Sequence, residues 1–445
     1  MNRTGDALWL GVRSSSGGGV LFQIKPRFVL AILAFSAVSW LGFAGAAWPQ
    51  QASGVADLAR TGSVRAALES ARTTEPQTIA QQIQFCEVPA PPFHESARGL
   101  VVKRAFEDIR FKNVRVDRAG NVLADRPGIS GSPRLVVAAH LDTVFPEGTD
   151  VKVRRDGDRL AGPGIGDNCR GLAVLLAIAR SMDQGRVQTP GNVTFVANVG
   201  EEGLGDLRGV KELFAGERAG QIDRFVTIDN AGISITNRAV GSLRYRITFK
   251  GPGGHSFGAF GLANPAHALG RAIARISDFQ VPSQPRTTFN VGRVGGGTSV
   301  NAIPFESWME VDIRSSEPGP LAELDTKLRR AVAAAVTEEN ARWGGHPTIT
   351  SVIDLVGDRP AGSTPATSPI VETAQAVARE LGLVASLSEG STDANVPMSR
   401  RIPAIAIGGG GSSDDSHAPQ ESFDTRDSWK GTVNATLLTI ALAQP

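Results

Sequence analysis

The chain is expected to be α/β: a doubly wound, mainly parallel sheet forms a catalytic domain, and a ferredoxin-like α+β lid domain is inserted into it. Three observations carry that expectation. From residue 74 to 240, short apolar runs alternate with helix-length stretches, as βαβ units do. Between 241 and 356 the order becomes β-α-β-β-α-β, that of a split βαβ sandwich. From 357 to 445 the first pattern returns, so the second module interrupts the first.

Residues 1–47 are expected to be an export signal or a membrane anchor. Phe28 to Ala47 carries no charge, follows Lys25 and Arg27, and ends in Ala44-Gly45-Ala46, a fit to an A-x-A cleavage site. The run is also close to bilayer-spanning length, which leaves an uncleaved anchor as the alternative. In both cases the body is exported, to the periplasm or the medium, or stays tethered to the membrane. Residues 48–73 are expected to be a linker or N-terminal segment.

In the first catalytic part, Thr74-Glu75-Pro76-Gln77 starts a helix, with Thr74 as cap and Pro76 in the first turn. The helix stops before the loop Pro89-Ala90-Pro91-Pro92. Strands at 135–139, 193–199 and 225–228 then alternate with helices at 171–182 and 207–214. In the lid, Tyr245-Arg246-Ile247-Thr248-Phe249-Lys250 alternates as a half-exposed strand does. A helix at 265–276, strands at 288–294 and 308–313, a helix at 321–340 and a strand at 348–354 complete it. A helix at 369–381 and a strand at 404–407 resume the catalytic part.

Lys and Arg number 46 against 44 Asp and Glu, a net charge of +2, which gives no electrostatic case for nucleic acid. Export would permit a bridge between Cys86 and Cys169, which stays open as the second reading; the leading one is two separate small core residues.

The chemistry-bearing residues follow the strands. His140-Leu141-Asp142 comes directly after the run at 135–139, and Glu201-Glu202 and Asp229-Asn230 follow the next two. Gly166-Asp167-Asn168 precedes a helix, and Ser416-His417 follows the strand at 404–407 across a Gly/Ser loop. Parallel sheets bind ligands at the carboxyl ends of their strands, so these positions can meet at one rim. Imidazoles and carboxylates in that mixture can hold two divalent cations. His140 and Asp142 share a face of extended chain, which would let the Asp142 carboxylate accept the imidazole N–H that a metal leaves free. Glu201 and Glu202 would supply one base and one ligand. Read alone, the Glu-Glu pair is an ordinary exposed acidic turn.

These landmarks resemble the family of co-catalytic di-zinc metallopeptidases and amidohydrolases, which includes glutamate carboxypeptidase, peptidase T-like tripeptidase, acetylornithine deacetylase and succinyl-diaminopimelate desuccinylase. The resemblance runs from about Glu75 to the C-terminus. It rests on His140-Leu141-Asp142-Thr143-Val144-Phe145-Pro146, Gly162-Pro163-Gly164-Ile165-Gly166-Asp167, Glu201-Glu202-Gly203, Gly254-His255-Ser256, Asn301-Ala302-Ile303-Pro304 and Ser416-His417. It implies that Asp167 bridges two divalent ions, Zn²⁺ or else Co²⁺ or Mn²⁺. His140 and Asp229 would complete one site, Glu202 and His417 the other. Glu201 would be the general base and Asp142 the group orienting His140. Asn168 stands where many relatives have a second Asp, and the family often has a cis peptide there.

By the same resemblance His255 would be a lid histidine reaching the site either by domain closure or from the partner subunit of a homodimer formed through the lid. Arg314 resembles the arginine that grips a substrate carboxylate, a task suited to its fork of donors. Asn301 is similar to a residue that meets the substrate from the lid, and Gly390-Ser391-Thr392-Asp393 resembles a loop lining the substrate pocket. His94, His267 and His346 are read as structural or solvated.

The leading expectation is therefore a zinc-dependent exopeptidase acting on short peptides. The first alternative is an amidohydrolase of N-acyl amino acids, since the same centre cuts either amide. A membrane-tethered peptide-binding module that kept the fold without catalysis is the second.

Overall fold

A computed structural model describes residues 47–109, 111–216, 218–344 and 348–445. The export or anchor segment, apart from Ala47, and His346 lie outside the described residues. Among those described, no helix is long and apolar enough to cross a membrane.

The apolar runs become the middle of a nine-stranded sheet. Its order is Lys112–Val116, Val122–Arg126, Asn192–Asn198, Arg134–His140, Arg224–Ile228, Ala404–Ile407, Ser234–Ala239 and Gly362–Ser363, with Ser386–Gly390 also paired to Ser234–Ala239. The four central strands run parallel. Most of the outer pairings are antiparallel.

Arg134–His140 and Asn192–Asn198 are each buried at six of seven positions, as strands covered on both faces must be. Successive side chains alternate between two cores. Val137, Ala139, Phe195 and Ala197 pack with Leu172, Leu176 and Leu437 on one face. Val136, Ala138 and Val196 meet Val210, Leu213 and Phe214 on the other.

Residues 48–73, expected to be a linker or N-terminal segment, fall in two helices, Ala47–Arg60 and Gly62–Thr73. Val55, Val64 and Ala67 join the main core, and the spacing of Val64, Ala67 and Ala71 is that of one buried helical stripe. The leading cysteine reading is corrected. Cys86, ending the helix Glu75–Cys86, forms a disulfide with Cys169, which opens the helix Cys169–Gln184. Their Cα atoms are 5.4 Å apart.

The lid runs from Gly241 to Arg359, slightly past the expected limit. Its strands are ordered Thr287–Gly296, Glu306–Ser315, Gly241–Lys250 and Thr350–Arg359, all antiparallel. The helices Pro265–Ser277 and Pro318–Arg342 cover one face through Leu269, Ile276, Leu324 and Leu328, packed on Ile247, Met309 and Val311. This is the expected sandwich. The other face is polar: Asp312 takes Arg244 on one oxygen and Arg314 on the other.

A small sheet absent from the sequence reading pairs Ser412–Asp414, Ser422–Asp424, Arg159–Ala161 and Arg154–Asp156. Ser422 lies opposite Ala161. The loop leading to Asp167 and the loop carrying His417 are thereby held side by side.

Candidate metal centre

Three strand ends and two loops converge. His140 is the last residue of its strand, Asp229 follows Arg224–Ile228 directly, and Glu201 and Glu202 lie just beyond Asn192–Asn198. Asp167 precedes the Cys169–Gln184 helix. Asn168 caps that helix by accepting from the Gly171 N–H at 3.0 Å, and its amide donates to the Ile228 carbonyl at 2.8 Å. The Asp167–Asn168 peptide is cis, as the resemblance implied.

Asp167 faces two ways. Its Oδ1 lies 3.1 Å from His140 Nε2, which is itself 3.6 Å from Asp229 Oδ1. Its Oδ2 lies 3.3 Å from His417 Nε2, which is 3.1 Å from Glu202 Oε1. His140 Nε2 and Asp167 Oδ1 are buried yet make no hydrogen bond. Atoms bonded to one tetrahedral zinc at ~2.1 Å stand about 3.4 Å from each other. The observed spacings therefore suit a cation between the members of each group, and one atom each from His140, Asp167 and Glu202 falls within a mutual 4.8 Å. His417 adopts a left-handed backbone, φ 68°, a conformation that non-glycine residues hold mainly at functional or tightly determined positions.

The titration behaviour fits a carboxylate-rich cage. Burial opposes charging His140, but Asp167 and Asp229 outweigh it and lift its pKa well above the ordinary imidazole value. Contacts with Asp167 and Glu202 push His417 up to about 10. Burial works to raise Asp167, yet the two facing imidazoles hold its carboxyl below the usual range. Burial raises Asp229. It also raises Glu201 well above the carboxylate range, against the pull of Arg359. A bound cation supplies the positive charge that crowded carboxylates otherwise draw from protonated imidazoles.

Asp142 takes a different job from the one expected. The acceptor for His140 Nδ1 is the Asp142 main-chain carbonyl at 3.0 Å, while its carboxylate is 3.7 Å away. The carboxylate instead accepts the Glu201 N–H at 3.0 Å and the Glu202 N–H at 2.7 Å. It holds the acidic pair in place.

A cleft of about 360 Å³ opens beside the cluster, lined by Asp229, Arg244, Arg314, Arg359, Gly390 and His417 among others. Arg314 and Gly390 both line this cleft. His255 and Asn301 do not line it. They sit together on the lid, exposed, with Gly254–His255 paired to Ala302–Ile303 and the Ser256 N–H bonded to the Asn301 carbonyl. Among the other histidines, His94 and His267 are exposed and lie near Glu147 and Glu339.

Three residues escaped the sequence reading. Glu421, fully buried, accepts the N–H groups of Gly164, Gly166 and Asp167 at 3.0, 2.8 and 3.0 Å. Arg359 donates to Glu201 Oε1 at 3.0 Å. Asn198 ends its strand and bonds buried Asp393 at 2.7 Å. A carboxylate that binds backbone, and an arginine that ends a lid strand, leave no periodicity to read.

The family model described as Peptidase family M20/M25/M40 matches residues 136–440. The chain belongs to that family. Members of the M20/M25/M40 family similar to it include a succinyl-diaminopimelate desuccinylase from Bordetella bronchiseptica, 27% identical over 331 residues, 69% of this chain and 82% of the relative. A tripeptidase structure from Staphylococcus aureus superposes with a TM-score of 0.67 at 21% identity, covering 83% of this chain and 98% of that one. A dinuclear metal binding peptidase of the M20 family from Bacillus subtilis gives 0.62 at 18% identity, covering 83% and 98%. The protein is therefore a hydrolase of a peptidase and amidohydrolase family, with a His/Asp/Glu cluster suited to metal.

Proposed function

We propose that the protein is an exopeptidase that hydrolyses the amide bond of short peptides with two divalent cations, Zn²⁺ foremost, and Glu201 as general base. The observation that carries this reading is the two-sided Asp167, each oxygen turned to a separate imidazole and carboxylate pair. His140, Asp229 and Asp167 Oδ1 would hold one cation; Glu202, His417 and Asp167 Oδ2 the other. When bound, such a pair makes water nucleophilic at neutral pH and polarises the scissile carbonyl.

Glu201 takes the proton of the attacking water and returns it to the leaving amine. Asp142 fixes the backbone of Glu201 and Glu202 so that base and ligand keep separate directions. Arg314, on the cleft wall, binds a free carboxylate of the substrate. His255 and Asn301, exposed on the lid, reach the reacting carbonyl only by closure or from a second copy, so the reading includes a homodimer through the lid.

Export is part of the same reading. The charge-free run before Ala47 supports it, with the segment either cleaved or kept as a tether. The Cys86–Cys169 disulfide supports it independently, since such bonds persist in oxidising compartments.

The amidohydrolase of N-acyl amino acids is the second reading, favoured by the desuccinylase likeness. Free-amino tripeptides assayed against N-acyl amino acids separate the two. Chelation should abolish hydrolysis, and Zn²⁺, Co²⁺ or Mn²⁺ should restore it. Glu201→Gln should keep metal and lose turnover, whereas His417→Ala should lose metal. Substrate binding without turnover in metal-replete protein would favour the binding module, and near-normal turnover in Glu201→Gln would refute the base.

A further inference from the structure

We propose that Arg359 is a positioning residue for Glu201, and that through it the docked lid holds the base in its working orientation. The inference rests on Glu201 being the base. Arg359 is the last residue of Thr350–Arg359, an edge strand of the lid, and only 4% of it is exposed. Its Nη1 donates to Glu201 Oε1 at 3.0 Å and to Ser391 Oγ at 3.3 Å, and its Nη2 donates to the Glu201 main-chain carbonyl.

One guanidinium therefore spans the side chain and the backbone of a single residue. Such a two-point grip fixes the side-chain torsions between the two atoms held. It also leaves the second carboxylate oxygen of Glu201 with no protein hydrogen bond among the described residues, on a side chain that lines the cleft. That oxygen is the one left to exchange a proton.

The grip is part of a larger contact. Arg244 donates to the Gly203 carbonyl, and the Asp358 N–H donates to Asp206 Oδ1 at 2.7 Å. Two lid strands thus hold the segment from Glu201 to Asp206 from one side, while Asp142 holds it from the catalytic side. A lid shifted away from the catalytic part releases Glu201 Oε1 first, because Arg359 is its sole hydrogen-bond partner among the described residues. A buried arginine–carboxylate pair is seldom the most stable filling of such a space, since both ions lose their hydration. Its use here is orientation.

The test uses the full chain, loaded with metal, and the substrate identified by the peptide and N-acyl screen. Arg359→Gln should lower kcat by about 100-fold, the scale of a small misplacement of a reacting group. KM should change less than about threefold, and metal content should match the parent. Arg359→Lys, which can reach only one of the two acceptors, should recover part of that loss. Added guanidinium ion should restore activity to Arg359→Ala. In a Glu201→Gln background, Arg359→Gln should change nothing further.

The proposal is overturned if folded Arg359→Gln keeps kcat within about threefold of the parent, or if the loss falls on KM, the mark of a substrate grip. Full activity in Arg359→Lys also overturns it, and this variant decides the matter if Arg359→Gln does not fold. Normal turnover by Glu201→Gln sinks the reading of the base instead, whatever Arg359 does.

Discussion

Glu421 gives the sharpest test of how the cage is built. Its carboxylate is the acceptor for three buried N–H groups on the loop that ends in Asp167, with Oε1 taking Gly166 and Asp167 and Oε2 taking Gly164. A buried donor left without a partner costs about 1–3 kcal/mol. Glu421→Ala strands all three, and some relaxation and water entry bring the expected loss to about 3–6 kcal/mol. Glu421→Gln can keep its oxygen at the Oε1 position and satisfy two donors, while its amide faces the Gly164 N–H, for a loss of about 1–3 kcal/mol. Because the loop carries Asp167, metal affinity should fall in the same order, Ala below Gln below parent. Urea unfolding of the metal-free variants and metal titration of each provide the two scales. If Glu421→Ala unfolds within about 0.5 kcal/mol of the parent and binds metal equally well, the carboxylate does not anchor the loop.

Metal uptake should be coupled to protons. Contacts with Asp167 and Glu202 push His417 up to about 10, and Asp167 and Asp229 lift His140 well above the ordinary value, so without metal both imidazoles favour the protonated form. A cation requires them neutral, so uptake at pH 7 releases protons and affinity climbs as pH rises. Calorimetry in buffers of different ionisation enthalpy checks this, and uptake without proton release contradicts it. The sign for folding follows too. A raised folded-state pKa gives stability that is complete below the unfolded imidazole value of about 6.5 and is lost as pH rises through the folded value. Metal-free protein should therefore unfold more easily at pH 10 than at pH 7. The disulfide joins residues 83 apart, so the double Cys86→Ser/Cys169→Ser variant should lose about 2–5 kcal/mol, and the parent should melt earlier in reductant. An unchanged Tm on reduction would count against the bond. Arg170 is fully buried and pairs with Glu75 at 2.7 Å, so Arg170→Met should cost about 3–5 kcal/mol by stranding a buried carboxylate. Adding Glu75→Leu should return much of it, as measured by denaturant unfolding.

Much of this architecture was legible because burial writes itself into sequence. The run Leu135-Val136-Val137-Ala138-Ala139 is apolar throughout, as a strand covered on both faces is, and the lid run from Tyr245 to Lys250 alternates as a half-exposed strand does. The five candidate ligand positions are legible for a topological reason: strand ends in a parallel sheet share a rim, and the loops bearing Asp167 and His417 reach the same one. What stayed hidden depends on contacts rather than periodicity. The three-residue strands that pair Arg159–Ala161 with Ser422–Asp424 are too short to carry a pattern. Spacing alone puts Asp142 beside His140, but it does not tell its main-chain carbonyl, which meets the ring at 3.0 Å, from its carboxylate, which binds the Glu201 and Glu202 N–H groups. The N-terminal helices carry little pattern because Ala, Arg and Ser dominate them and, among the described side chains, only Val55, Val64, Ala67 and Ala71 are buried.

The position of Ala404–Ile407 in the central sheet has a consequence for biosynthesis. This strand is inserted between Arg224–Ile228 and Ser234–Ala239, so a chain halted before it would carry an empty slot in mid-sheet, with two strand edges bare. A nascent copy without this strand therefore offers two open edges on which a neighbouring copy can pair.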